Sequence, residues 1–431
     1  MSELPKGWVE CAVGDVFTIV GGGTPSAGDP TNFAEGGTAH AWLTPADLSG
    51  YKLKKIKHGA RDLSEKGLNS CSAKTMASGS VLFTSRAPIG YVAIADGEIA
   101  TNQGFKSFIV PDGIDTSYLY YYLKSIRKLA ESRGTGTTFK ELSGAAVKKL
   151  PFVLAPFEEQ KRIAAKLDEL LAQVDALKAR IDAIPALIKR LRHTISIAAI
   201  SGKLITKQPT NKQWTQVAIG DLCQLRSGIA ISPNLEKDAG DIPYFKVSEM
   251  NLAGNEMFLR HTNRWLMKDD ASSRSILPLG SIVFPKRGGA IATNKKRILK
   301  QPAFVDLNIM GIIVPADTDP MYVFRWLETI DLGKLNTGST IPQINNSDIA
   351  PLEIPLPPLE EQAEIAHRIE QLFAFADQLE AKVSAAKQHI NNLTQSLLAK
   401  AFCGELVPQD PNDEPAGTLL AGHPRPTNCP G

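Results

Sequence analysis

No apolar run in this 431-residue chain approaches the roughly 20 residues that a membrane-spanning helix requires. The opening MSELPKGW lacks the apolar centre of a secretory leader, so a cytoplasmic protein without membrane contact is expected. Cysteine is scarce: Cys11, Cys71, Cys223, Cys403 and Cys429 are scattered, odd in number and form no C-x-x-C. That pattern favours reduced thiols over disulfides or a zinc site. The seven histidines show no ligand spacing, so no metal site is expected. No G-x-x-x-x-G-K-[ST] phosphate loop occurs, which excludes a P-loop ATP motor. Gly21-Gly22-Gly23 and Gly134-Thr135-Gly136 are too short for a dinucleotide fingerprint and read as turns.

What the chain does have is a long repeat. Pro156-Phe-Glu-Glu-Gln160 returns as Pro358-Leu-Glu-Glu-Gln362, 202 residues later, and 17 of the 50 paired positions from 156 to 205 are identical at that shift. Ile163, Leu167, Leu170, Val174, Leu177, Ile181, Ile184, Ile188, Leu191 and Ile195 alternate spacings of four and three, an a/d heptad seam. The second copy repeats the series from Ile365 to Leu397. Each seam is bounded like a helix. Proline stands at the start, where its missing N–H is no loss, followed by two glutamates against the positive end of the dipole. Gly202 and Gly404 stand where a left-handed residue ends a helix. Residues 157–201 would make roughly 68 Å of helix at 1.5 Å per residue. Pro185 should kink the first copy, whereas Lys387 lets the second run straight.

A seam that long needs a partner. Some 11 residues, Lys203 to Gln213, separate the first helix from the next domain, which leads directly into the second helix. The second helix therefore starts near where the first ended, and antiparallel pairing is expected.

The repeat also covers the segments ahead of the helices. Trp8 with Val13-Gly14-Asp15-Val16 matches Trp214 with Ile219-Gly220-Asp221-Leu222. Gly79-Ser-Val-Leu-Phe83 with Arg86 matches Gly280-Ser-Ile-Val-Phe284 with Arg287, and Thr135-Gly136-x-Thr138 matches Thr337-Gly338-x-Thr340. Short β-branched runs (81–83, 91–95, 107–110; 282–284, 311–314) mix with helical patterns over 117–131 and 321–330. The fold class is thus α/β (α+β): two globular domains, 1–155 and 206–357, separated by helices at 156–205 and 358–407 that form an antiparallel coiled coil in a pseudo-twofold repeat. Residues 408–431, rich in proline and glycine, are expected to be a flexible tail. Net charge by segment is +3, +3, +2 and −5 for 1–155, 156–205, 206–357 and 358–431. Basic residues cluster at Lys52–Arg61 and Lys286–Lys300, which by itself raises a nucleic-acid reading only modestly. Two like domains with unlike loops suit two unlike half-sites on duplex DNA.

With P-x-E-E-Q opening both helices, Asn391-Asn-Leu-Thr-Gln-Ser-Leu-Leu-Ala-Lys-Ala-Phe402 closing the second, and Gly22-Gly-Thr-Pro25, Ser85-Arg-Ala-Pro-Ile-Gly90 and Asn102-Gln-Gly-Phe105 in the first domain, the chain resembles the specificity (S) subunit of type I restriction–modification enzymes. The resemblance covers nearly all of 1–407. It implies a non-catalytic reader of a bipartite asymmetric target, with each globular domain a target-recognition domain. It implies two methyltransferase subunits as partners, which use S-adenosylmethionine to methylate adenine N6. Two restriction subunits with ATP and Mg would join them, and the long helices would set the spacing between half-sites. The tail differs from members that carry a further short helix.

The residues agree with a non-catalytic part. A [DNS]-P-P-[YFW] methyltransferase loop is missing, the only Pro-Pro being Leu356-Pro-Pro-Leu359, and Glu380-Ala-Lys382 has nuclease-like spacing but falls on the heptads. Phosphate binding wants Lys, Arg and N–H groups, and base reading wants Arg, Lys, Asn or Gln. Candidate DNA contacts are Arg86, Asn102, Gln103, Lys106, Thr135, Thr138 and Lys140 in the first domain. In the second they are Arg226, Lys286, Arg287, Lys295, Lys296, Gln343 and Asn345. Arg86 and Arg287 lead because they share a framework position; each of the others could equally be a turn or surface residue. Two other readings stand beside this one: a self-sufficient DNA methyltransferase or nuclease, and a coiled-coil adaptor without DNA contact.

Overall fold

The structure, a computed structural model, describes residues 4–86, 88–136, 140–204, 214–269, 275–335 and 341–422. It divides into two compact units, 1–181 with 385–431 and 182–384. Each unit therefore combines one globular region with half of each long helix.

The heptad patterns form helices Phe157–Ile200 and Leu359–Phe402. Pro185 is carried inside the first without ending it, and the unit boundary falls just before it. Gly202 (φ 75°) and Gly404 (φ 77°) take the left-handed conformation that closes each helix. The Lys203 and Glu405 N–H groups donate to Ala198 O and Lys400 O, both at 2.9 Å. Within the first unit the start of one helix (Ile163, Leu167) shares a core with the end of the other (Leu398, Ala401, Phe402). Within the second unit Ile195, Ala199 and Ile200 share a core with Ile365 and Ile369. In each unit, then, the two segments run in opposite directions.

The seam is not buried along its whole length. Ile163, Leu167 and Val174 are closed off, whereas Leu177, Leu191 and Leu393 are 45%, 41% and 44% exposed. Ile163, Leu167, Ile365 and Ile369 are closed off in the cores they share with the globular regions, and Val174, Ile188 and Ala376 are buried outside those cores.

That region is the same design twice. In the first unit a five-stranded sheet runs in the order Thr18–Gly21, Lys106–Ile109, Val81–Phe83, Val92–Ala95, Lys55–Ile56. In the second the order is Gln224–Ser227, Ile309–Ile313, Ile282–Pro285, Arg297–Leu299, Phe258–Leu259. A parallel pair flanks each sheet, His40–Leu43 with Ala100–Thr101 and Ile242–Phe245 with Phe304–Val305. The helical pattern over 117–131 resolves into two helices, Thr116–Ser125 and Arg127–Arg133, and its counterpart is Pro320–Thr329.

P-x-E-E-Q is a clamp between helix and domain, which dipole reasoning alone did not reveal. Trp8 Nε1 donates to Glu159 Oε2 at 2.9 Å, and Trp214 Nε1 to Glu361 Oε2 at 3.0 Å. Gln160 Oε1 accepts from the Asp115 N–H and its Nε2 donates to Ala155 O, both at 2.9 Å. Gln362 repeats this with Asp319 N–H (2.9 Å) and Pro357 O (2.8 Å). Burial raises the pKa of the Glu159 carboxyl, against the indole bond and the Arg162 charge.

The expected flexible tail is corrected for 408–422. Ala416–Gly422 is a short helix, Ala416 is fully buried in the first unit's core, and its N–H donates to Gly7 O at 2.9 Å. Arg162 Nη2 pairs with Asp413 Oδ2 at 2.6 Å. Composition predicted disorder because it counts local propensity, whereas burial of one small face and an ion pair supply the order here. Among the described residues no helix is long and apolar enough to cross a membrane.

Candidate nucleic-acid interface

Both units build one corner from the same backbone. After strand Val81–Phe83, the Ser85 N–H donates to Gly104 O and Ser85 O accepts from the Leu142 N–H, each at 2.8 Å. Arg86 is thereby set opposite Glu141 as a bridge. Glu141 is held from its other side too, exchanging backbone bonds of 3.0 and 2.8 Å with Thr135. Arg86 Nε and Nη2 donate to Glu141 Oε2 at 3.1 and 2.5 Å.

The second unit repeats the register. The Lys286 N–H donates to Asn308 O and Lys286 O accepts from the Ile344 N–H, each at 2.8 Å. Arg287 is set opposite Gln343. Gln343 Nε2 donates to Asn345 Oδ1 at 2.7 Å, and the Asn345 N–H donates to Asp348 Oδ2 at 2.7 Å at the head of helix Asn346–Ile349.

A glycine turn brings in the neighbouring loop. A Cβ on Gly22 would lie 2.1 Å from the carbonyl oxygens of Thr101 and Asn102, so only glycine allows the approach. Gly228 meets Asp306 O at the same distance. In the first unit this puts Thr24 Oγ1 in hydrogen bond to the exposed Gln103 Oε1. Asn102 Oδ1 accepts from the Gly104 N–H at 2.9 Å, shaping the turn. The Lys106 ammonium passes over Gly21, and its stem over Gly144.

Arg86, Asn102, Gln103, Lys106, Thr135 and Lys140 thus gather around one corner, with Thr135 and Lys140 exposed; Thr138 lies outside the described residues. In the second unit Arg287, Lys286, Gln343 and Asn345 share the equivalent corner. Lys286 Nζ donates to Ser227 Oγ at 2.7 Å, and burial together with the Arg287 charge lowers its pKa. Arg226 stands beside Ser227, half-buried, with its guanidinium donating to Ile276 O (3.1 Å) and Gln224 Oε1 (3.0 Å).

Lys295 and Lys296 are not part of that corner. Lys295 bonds Asn251. Lys296 is 4% exposed, with Nζ donating to Ile330 O at 2.6 Å and Asn294 Oδ1 at 2.8 Å. Burial brings its pKa down to about 8, against the pull of Glu328 and Asp331. Both line a cleft of about 780 Å³ with Lys189, Arg192 and Asp377 of the long helices.

Glu141 was missed as a candidate. An acid is not an obvious DNA contact, and the matched spacing to Gln343 was its only signal. The remaining motifs have structural employment. Pro357 O receives Gln362, and Glu380 stands 3.6 Å from Arg192. Among the described residues no cluster of three or more His, Cys, Asp or Glu is arranged to hold a metal ion.

Residues 5–186 and 211–386 match the family model of the type I restriction modification DNA specificity domain. The chain is 28% identical to the type I restriction enzyme EcoKI specificity subunit of Escherichia coli K12, over 94% of this chain and 91% of that one. It is 27% identical to the MjaIX specificity subunit of Methanocaldococcus jannaschii, over 94% and 95%. With the EcoDI specificity subunit of Escherichia coli the figures are 30%, over 70% and 72%. Among solved structures, the HsdS subunit from Thermoanaerobacter tengcongensis has the same fold, with a TM-score of 0.60, 19% identity, and coverage of 94% of this chain and 98% of that one. A chain solved in work on complex assembly and conformational transition of the type I R-M system gives 0.66 and 18%, covering 94% and 100%.

Proposed function

The chain belongs to the type I restriction–modification DNA specificity family, and on that premise we propose that its two globular regions each read one half of a bipartite, asymmetric duplex target. The paired long helices set the gap between the halves and dock two methyltransferase subunits, which bring S-adenosylmethionine and methylate adenine N6. Two restriction subunits, using ATP and Mg, complete the complex that cuts unmodified DNA. The chain itself contributes recognition and no chemistry.

One observation carries this reading: the backbone bonds that seat Arg86 (Ser85 with Gly104 and Leu142) recur around Arg287 (Lys286 with Asn308 and Ile344), while the facing side chain differs, Glu141 against Gln343. A conserved cradle with exchanged contents is what two readers of unlike sequence need. Apolar residues left exposed on the long helices, Leu177 and Leu393 in one unit and Leu187, Leu191 and Phe375 in the other, support a docking role.

A genome-wide map of methylated adenines, with the methyltransferase present and this chain present or absent, tests it. The expected result is a two-part motif with a fixed gap that appears only with the chain. Methylation that is unchanged without the chain would overturn the proposal. Labelling or cutting of DNA by the purified chain alone would replace it with a self-sufficient enzyme.

A further inference from the structure

Arg86 and Glu141 form an ion pair whose side chains are 44% and 37% exposed, and pairs so placed contribute little to stability. Their geometry is nonetheless specific. One carboxylate oxygen takes both Nε and Nη2 of the guanidinium, so that edge is occupied. The opposite end, Nη1 with the outer hydrogen of Nη2, has no hydrogen-bond partner among the described residues and forms a two-nitrogen donor fork. The backbone that carries the carboxylate is fixed, because Glu141 is bonded through its main chain to Thr135 and is followed by the fully buried Leu142.

A phosphate is a poor match for this fork, since it would bring a second anion toward Glu141. Guanine is a good one: in the major groove it offers O6 and N7 side by side, both neutral acceptors, at the spacing an arginine fork spans. In the second unit the same backbone presents the neutral Gln343, which has no charge with which to orient Arg287.

Resting on the DNA-reading function above, we propose that Glu141 is a positioning residue for specificity: it holds Arg86 to read a guanine in the half-site of the first unit. The residue at this place thereby determines a base that the second unit reads differently.

The test uses the full chain assembled with its methyltransferase subunits and a randomised duplex library. The wild-type complex should select a two-part motif with one strongly preferred guanine that responds to this pair. Glu141→Gln, which installs the second unit's residue, should reduce that preference about tenfold or more and leave the other half-site intact. Arg86→Lys, which keeps the charge and loses the fork, should reduce preference for the same guanine. Uniform weakening on all sequences, effects at different positions, or no change with Glu141→Gln would overturn the assignment while the two-part motif, and with it the DNA-reading function, stands. A wild-type complex that selects no two-part motif would overturn both.

Discussion

The two units repeat one backbone and fill its junctions with different chemistry. Counting from the helix caps Asp115 and Asp319, Tyr121 of the first unit stands where Arg325 stands in the second. Tyr121 donates its hydroxyl to Asp168 of the long helix, which also takes Lys54 Nζ at 2.7 and 2.8 Å. Arg325 instead lies 4.7 Å from the centre of the Phe373 ring, and Arg192 lies 5.1 Å from the same ring. A carboxylate-centred ion pair in one unit is replaced by a cation–aromatic stack in the other. The bonds that recur in both (Trp to Glu, Gln to the Asp N–H, Ser85 or Lys286 to the strand beyond) define the fold. Those that differ were free to diverge.

The largest expected contrast lies where the long helices end. Phe402 packs edge-on against Tyr118 and Tyr122, with centroids 5.2 and 5.0 Å apart, while the repeat places Ile200 at the corresponding position. Phe402→Ala should cost about 3–5 kcal/mol and Ile200→Ala about 2–4 kcal/mol. Hydrogen exchange should place the first loss in the first unit's core and the second loss in the second unit's. If either variant loosened both units equally, their cores would be one rather than two.

Next come the clamps, where the units should agree. Gln160→Ala removes three bonds, one of them a long 3.3 Å bond to Gly113 O, and Gln362→Ala removes two, at about 2–3 kcal/mol for each variant. Denaturant titration should give similar losses for the two variants. A difference as large as one of the losses would mean that the clamps are not equivalent.

A third contrast is a pH dependence confined to the second unit. Lys296 occupies the strand place of Val92, counted from the matched pairs Ile282–Ile298 and Val81–Ile94. Its pKa is about 8 when folded against an ordinary 10.5. Between those values the unfolded chain binds a proton that the folded chain does not. The Lys296 contribution therefore rises with pH from about 8 to 10.5, and its burial penalty is full below 8. Lys296→Met should abolish that rise, as measured by the difference between variant and wild-type urea midpoints at the two ends of the range. A variant that tracks wild type across the range would place the ammonium in solvent.

The repeated apolar spacing showed where the long helices begin and end, and the matched anchors showed the shared sheet, because both are set by periodic burial. The partners of Glu159 and Gln160 were not legible. Trp8 is distant in the chain, and only folding brings its indole to the carboxylate. The seam's exposed middle was equally hidden, since spacing records which face is apolar and not what covers it. For the candidate site, Arg86 and Arg287 could be found from their common frame. Lys295 and Lys296 drew notice as part of a basic run, yet the strand from Arg297 to Leu299 carries them away from the corner. Nothing local distinguished Glu141 from any surface acid.

Exchange of residues 1–155 for the corresponding region of another family member, followed by mapping of methylated adenines, probes the division of labour most directly. One half of the motif should change while the other half and the gap between them stay as they were. Replacement of both halves, or of neither, would contradict two independent readers on one duplicated frame.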